Sequence, residues 1–142
     1  MNGNAELLNF VVQNAQMGVD TIQQLLGISQ DEAFKTCLQA QHHDYTAMHA
    51  KAAELLGTHG LDEKGLSKLD TFKTYWMINL QTLSDKSSAH IAEMMILGSN
   101  MGIVDAIKKQ RQYCHAESDI LALMQRLQHA EESNVEKLKA FL

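Results

Sequence analysis

The sequence has no proline, two cysteines, one tryptophan and few aromatic residues of any kind. The lack of proline, together with a content of 45% hydrophobic and 20% charged residues, excludes a Pro-rich disordered or fibrous chain. The two cysteines, Cys37 and Cys114, lie far apart and have no CxxC partner. A disulfide framework or a zinc knuckle is therefore not expected, and both residues are read as free thiols. Long apolar runs are also missing. No window approaches the roughly 18 consecutive apolar residues of a membrane span, and Met1 to Glu6 carries no basic segment ahead of its apolar stretch. The chain is expected to stay in the cytoplasm. Basic residues are outnumbered, giving a net charge of −5 that disfavours nucleic acid and anionic membrane. The one tight basic cluster, Lys108-Lys109-Gln110-Arg111, falls where a helix is ending and complements its dipole. No segment alternates with period 2, so no sheet is expected.

What the sequence does have is helical periodicity over a length that suits one domain, residues 1–142. Leu8, Val12, Ala15, Val19, Ile22 and Leu26 recur at alternating spacings of 4 and 3, the seam of a helix packed lengthwise on others. Gly27 is expected to end this helix. Ser29 and Glu32 then form a capping box that starts the next one at once. The second helix carries Phe34, Leu38, Gln41, Tyr45, Met48, Ala52 and Leu55 and stops at Gly57 to Gly60, with Gln41 the one polar residue in its seam. Leu66, Leu69, Phe72, Trp76, Leu80 and Leu83 predict a short third helix, which Ser84 to Ser88 interrupts. A fourth runs from about Ser88 to Tyr113 through Ile91, Met94, Met95, Gly98 and Gly102, and a fifth from about Ser118 to Phe141. Short connections make helices 1 and 2, and helices 4 and 5, antiparallel hairpins; residues 58–87 are long enough to cross from one end of the bundle to the other. The fold class expected is all-α, a ferritin-like up-down four-helix bundle with a long crossover containing a short extra helix.

The run Thr74-Tyr75-Trp76-Met77-Ile78-Asn79-Leu80, then Ile91-Ala92-Glu93, Gly98 and a closing amphipathic helix, resembles a group of uncharacterised bacterial ferritin-like four-helix bundles, domains of unknown function. Ferritin-like proteins that bind two metals place a Glu on each of two helices and a Glu-x-x-His on each of the other two. The corresponding registers here read Gln41-His42-His43-Asp44 on helix 2 and Gln125 to Gln128 or His129 to Glu132 on helix 5. The usual di-iron motif is absent.

The remaining candidate sites each have a plainer role. His42, His43, Asp44, His49 and Glu54 are dense on helix 2, but His42 and His49 are too far apart to chelate one ion, and a solvated flank explains them. His90 with Glu93, and His129 with Glu132, have the i, i+3 spacing that lets an imidazole and a carboxylate share a metal. The eight methionines follow the apolar stripes and read as core filling rather than thioether ligands. The first helix is nearly uncharged, with glutamines and asparagines on its polar face beside Val11 and Met17, which suggests a subunit contact in a homodimer. Three functions follow. The main expectation is a non-enzymatic structural or interaction module without a cofactor. The alternative is an iron- or manganese-binding redox bundle with a variant ligand set, Asp20, Gln41, Asp44, Glu93, His129 and Glu132. A third is a small-ligand binder whose cavity lies near Gln41, Tyr45 and Gly98.

Overall fold

The structure is a computed structural model that describes residues 2–63 and 71–142, the side chains of residues 71 and 72 excepted. Among these residues all regular structure is helical: α1 (Asn4–Ile28), α2 (Glu32–Thr58), α3 (Thr71–Gln81), α4 (Ser88–Gln112) and α5 (Ser118–Leu138), closed by a 3-10 turn at Lys139–Phe141. Of the expected apolar positions, Leu66, Leu69 and the side chain of Phe72 lie outside the described residues.

Local chemistry explains where each helix starts and stops. Gly3 precedes α1 with φ of +83°, and a Cβ there would stand 2.3 Å from the Tyr113 ring, so only glycine satisfies both the backbone and the packing. The end of α1 differs from expectation. Gly27 stays within the helix, and Ser29 ends it by turning extended while its amide and hydroxyl both donate to the Leu25 carbonyl, at 3.0 and 2.7 Å. Ser29 is thereby occupied, and the cap of α2 is Asp31, whose carboxylate accepts from the amides of Ala33 and Phe34. At the far end of α2, Gly60 takes φ of +65° and lets the Leu61 amide return to the Leu56 carbonyl at 2.8 Å, a Schellman closure. Ser87 caps α4 through the His90 amide, and Lys109 and Arg111 lie in its last turn.

The helix directions follow from contacts at the two ends. The Glu117 amide before α5 donates to Asn4 Oδ1 at the start of α1, and His59 at the end of α2 pairs with Asp119 at the start of α5. At the opposite end, Ser88 at the start of α4 donates to Asp31 at the start of α2. The four long helices therefore run up, down, down, up, and the link between α2 and α4 crosses from one end to the other. Within that link α3 packs on α4 and α1. The Trp76 indole lies on Gly98, where a Cβ would come within 2.3 Å of it, and the Tyr75 hydroxyl donates to the Met94 carbonyl.

The core is aliphatic and methionine-rich, drawing on Leu7, Leu8, Val11 and Val12 of α1, Met48 of α2, Met94 and Met95 of α4, and Met124 of α5. Helix α1 is buried over a wider face than one seam because it touches α2, α5, α3 and α4. Val11 (0% exposed) and Met17 (9%), read from the sequence as part of a subunit contact, are consumed inside the fold for that reason. Cys37 and Cys114 are free thiols. No helix among the described residues is long and apolar enough to cross a membrane.

Candidate functional site

Each long helix interrupts its apolar seam with polar side chains, and these meet in one layer inside the bundle. On α1 the buried Val11, Asn14 and Thr21, with the half-buried Gly18 before Thr21, step by 3, 4 and 3; on α2 the buried Leu38, Gln41, Tyr45 and Met48 do likewise. Helix α4 supplies Met95, Ser99, Gly102 and Ala106, and α5 supplies Leu127, Glu131, Asn134 and Leu138. Helical spacing of this kind puts all four polar sets on inward faces. Asn14, Gln41, Ser99, Glu131 and Asn134 are each 5% exposed or less.

Glycines set how closely the layer assembles. A Cβ on Gly18 would stand 2.6 Å from the Tyr45 ring, so α1 and α2 close onto each other only because that atom is missing. At Gly102 an added Cβ would lie 3.5 Å from Asn14 Nδ2 and 3.6 Å from Glu131 Oε1. The Asn14 amide and the Glu131 carboxylate thus approach the same bare patch of α4 backbone from opposite helices. A cavity of about 20 Å³ is lined by Asn14, Tyr45 and Ser99 together with Gly18, Thr21 and the apolar Ile22, Trp76 and Met95; Glu131 is not among its walls. It has room for a single water-sized sphere.

Glu131 is the one acidic or basic side chain buried among the described residues. Burial raises its carboxyl to a pKa of about 7, against the pull of the Tyr45 and Ser99 hydroxyls, which favour the anion. Burial also raises the Tyr45 phenol well above its ordinary value, and the charge of Glu131 adds to that shift. Neither Glu131 oxygen forms a hydrogen bond of ordinary length and angle, although the Tyr45 and Ser99 hydroxyls are near enough to favour its anion. Asn14 Oδ1 and Asn134 Nδ2 are likewise enclosed and unpaired. The fifth such atom among the described residues is His42 Nε2 on α2. The other buried amides at the bundle end and on α2 do have partners: Asn4 accepts from Glu117, Asn9 donates to the carbonyls of Ala5 and Asp62, and Gln41 donates to Cys37 Sγ at 3.6 Å.

The ligand set suggested by the sequence sits elsewhere. Asp20, Asp44, Glu93, His129 and Glu132 are all exposed; Asp20 accepts from Gln16 and Glu132 from Gln128, each one turn away on its own helix. Among the described residues no three His, Cys, Asp or Glu side chains are grouped to hold a metal ion. Gln41 and Tyr45 are interior, as their seam positions implied, yet they border different spaces. Tyr45 lines the small cavity, whereas Gln41 lines a surface groove of about 440 Å³ between α2 and α5 with Cys37, Asp44, Asn134 and Lys137.

Asn14, Ser99, Glu131 and Asn134 escaped the sequence reading. On α5 the registers 125–128 and 129–132 begin six and two residues ahead of Glu131-Glu132-Ser133-Asn134, which is the one that faces inward. The usable signal was the seam itself: extending Ile120, Met124 and Leu127 by alternating 4 and 3 lands on Glu131, Asn134 and Leu138. In comparisons with known proteins, no family model matches the chain, and neither a curated protein nor a solved structure matches it significantly.

Proposed function

We propose that this chain is a ferritin-like four-helix bundle that serves as a structural or interaction module and carries out no reaction of its own. What supports the reading is the composition of the central layer. A two-iron centre takes a Glu from each of two helices and a Glu-x-x-His from each of the other two. The up, down, down, up order with one crossover suits that architecture, but its inward positions here are Asn14, Gln41 with Tyr45, Ser99, and Glu131-x-x-Asn134. One carboxylate without a buried imidazole can neither neutralise two divalent ions nor complete their coordination. The residues present do not fit a di-iron or di-manganese group.

A module needs a surface, and α4 and α3 offer one. Leu97 and Val104 on α4, and Met77 and Ile78 on α3, are about half exposed, large and apolar. Leu97, Met101 and Val104 follow at i, i+4 and i+7, one continuous stripe. With Val11 and Met17 of α1 buried inside the fold, this stripe takes over as the contact for a second copy of the chain.

Metal content tests the reading directly. Purified untagged protein incubated with ferrous iron, manganese or zinc and then desalted is expected to retain well below one ion per chain. Near-stoichiometric retention that disappears in Glu131→Gln would sink the proposal and make the layer a variant metal centre.

A further inference from the structure

We infer that two copies of the chain pair through α4 in antiparallel orientation, about a twofold axis near Asn100, so that Glu93 of each copy meets Lys108 and Arg111 of the partner subunit. This pairing rests on the reading of the Leu97, Met101 and Val104 stripe as the contact for a second copy, and adds the charges that orient it. The exposed face of α4 runs through Glu93, Leu97, Asn100, Val104, Lys108 and Arg111, spacings of 3 and 4 that stay on one side of a helix. Its middle is apolar, and an open groove of about 410 Å³ lined by Leu97, Asn100, Met101, Val104 and Asp105 lies along it. Its two ends carry opposite charge. Among the described residues none of Glu93, Lys108 and Arg111 takes part in an ion pair within the chain. Lys109, by contrast, is half-buried and stands 5.7 Å over the Phe10 ring, so the basic cluster divides between a residue spent on the fold and two that face solvent.

Symmetry converts this pattern into an orientation. A twofold contact uses the same patch on both copies, so the patch must complement itself. Glu93 lies seven residues before Asn100 and Lys108 eight after it, nearly equal distances from the middle of α4. Antiparallel pairing therefore sets acid against base at both ends and closes Leu97 of each copy on the apolar middle of the partner, with the two helix dipoles opposed. A parallel pairing sets Lys108 and Arg111 against the same two cations of the second copy, and Glu93 against its own counterpart. Like charges facing one another across a contact are unfavourable, which leaves the antiparallel arrangement.

The experiment is sedimentation equilibrium of the full chain at neutral pH and low ionic strength, with charge reversals at the two ends. Glu93→Lys alone and Lys108→Glu alone should each weaken self-association about tenfold, since each puts like charges together at both symmetric ends, and the double variant should restore it. In a parallel pair neither reversal changes the balance of like charges, so unchanged association in both single variants overturns the inference. Oxidative crosslinking gives a second readout, with Cys37 and Cys114 replaced by serine. Positions 93 and 108 are about 22 Å apart along one helix at ~1.5 Å per residue. Glu93→Cys mixed with Lys108→Cys should form a disulfide-linked dimer, whereas Glu93→Cys by itself should not; efficient linkage of Glu93→Cys to itself overturns the inference. Both positions are exposed, and circular dichroism should report unchanged helix in every variant. A natural chain that remains a monomer removes the second copy and this orientation together. A dimer that is dispersed by Leu97→Asp with Val104→Asp but is indifferent to the charge reversals overturns the orientation alone.

Discussion

Glu131 is the residue on which the interior chemistry turns. Its carboxyl, near 4.5 when solvated, is raised to about 7 by burial, so the folded chain holds a proton that the unfolded chain has released. The sign of the linkage follows: between these values the native state binds more protons than the unfolded one, and stability falls as pH rises from about 4.5 to 7, then levels. The fall amounts to roughly 3 kcal/mol for this group, at ~1.36 kcal/mol per unit. Urea unfolding at pH 5 and at pH 8 should differ in that direction, and Glu131→Gln should remove most of the difference while raising stability at pH 8. A wild-type chain that grows more stable over this window would show that other groups dominate. Glu131 and Asn134 are legible in the sequence only as polar residues on an apolar stripe. The stripe marks the inward face, but nothing local reports that Asn14, Tyr45 and Ser99 meet it there.

At the scale of the element, the glycines separate two kinds of position. Gly98 and Gly57 both lie inside helices, where alanine is better by about 1 kcal/mol on propensity alone. At Gly57 nothing lies within 4 Å of an added Cβ, so Gly57→Ala should stabilise the chain by about 0.5–1 kcal/mol. At Gly98 the same atom would strike the Trp76 ring, and since overpacking typically costs ~1–3 kcal/mol, Gly98→Ala should be destabilising or neutral despite its propensity. Denaturation midpoints give the energies, and tryptophan emission, which reports only Trp76, should shift in Gly98→Ala and not in Gly57→Ala. Helix limits were readable to within a turn because periodicity and caps act locally. The α1–α2 corner shows the limit of that argument: Ser29, Asp31 and Glu32 all had the chemistry to cap, and Ser29 was lost to the Leu25 carbonyl.

At the scale of the whole molecule, the exposed apolar stripe on α4 is where the proposed contact with a second copy is tested. Under the proposed reading, self-association would bury Leu97, Met101 and Val104. Light scattering after size exclusion should give a dimer mass for the natural chain and a monomer mass for the double substitution Leu97→Asp and Val104→Asp, with unchanged helical circular dichroism. A natural chain that elutes as a monomer at high micromolar concentration would remove the second copy as the partner.

Length, the 4/3 periodicity and the turn chemistry of the linkers determined by themselves that the chain is helical, how many long helices it has, and that α1–α2 and α4–α5 are hairpins. Those features depend on groups a few residues apart, whose interactions survive in any tertiary arrangement. Only the tertiary structure decided that Val11 and Met17 face inward, that Asp20, Asp44, Glu93, His129 and Glu132 stay in solvent, and that Asn14, Tyr45, Ser99 and Glu131 share one layer. That choice depends on the rotation and axial shift of each helix against partners up to a hundred residues away in the chain. These are fixed by close contacts such as Gly18 on Tyr45 and Gly98 on Trp76, which no local pattern encodes.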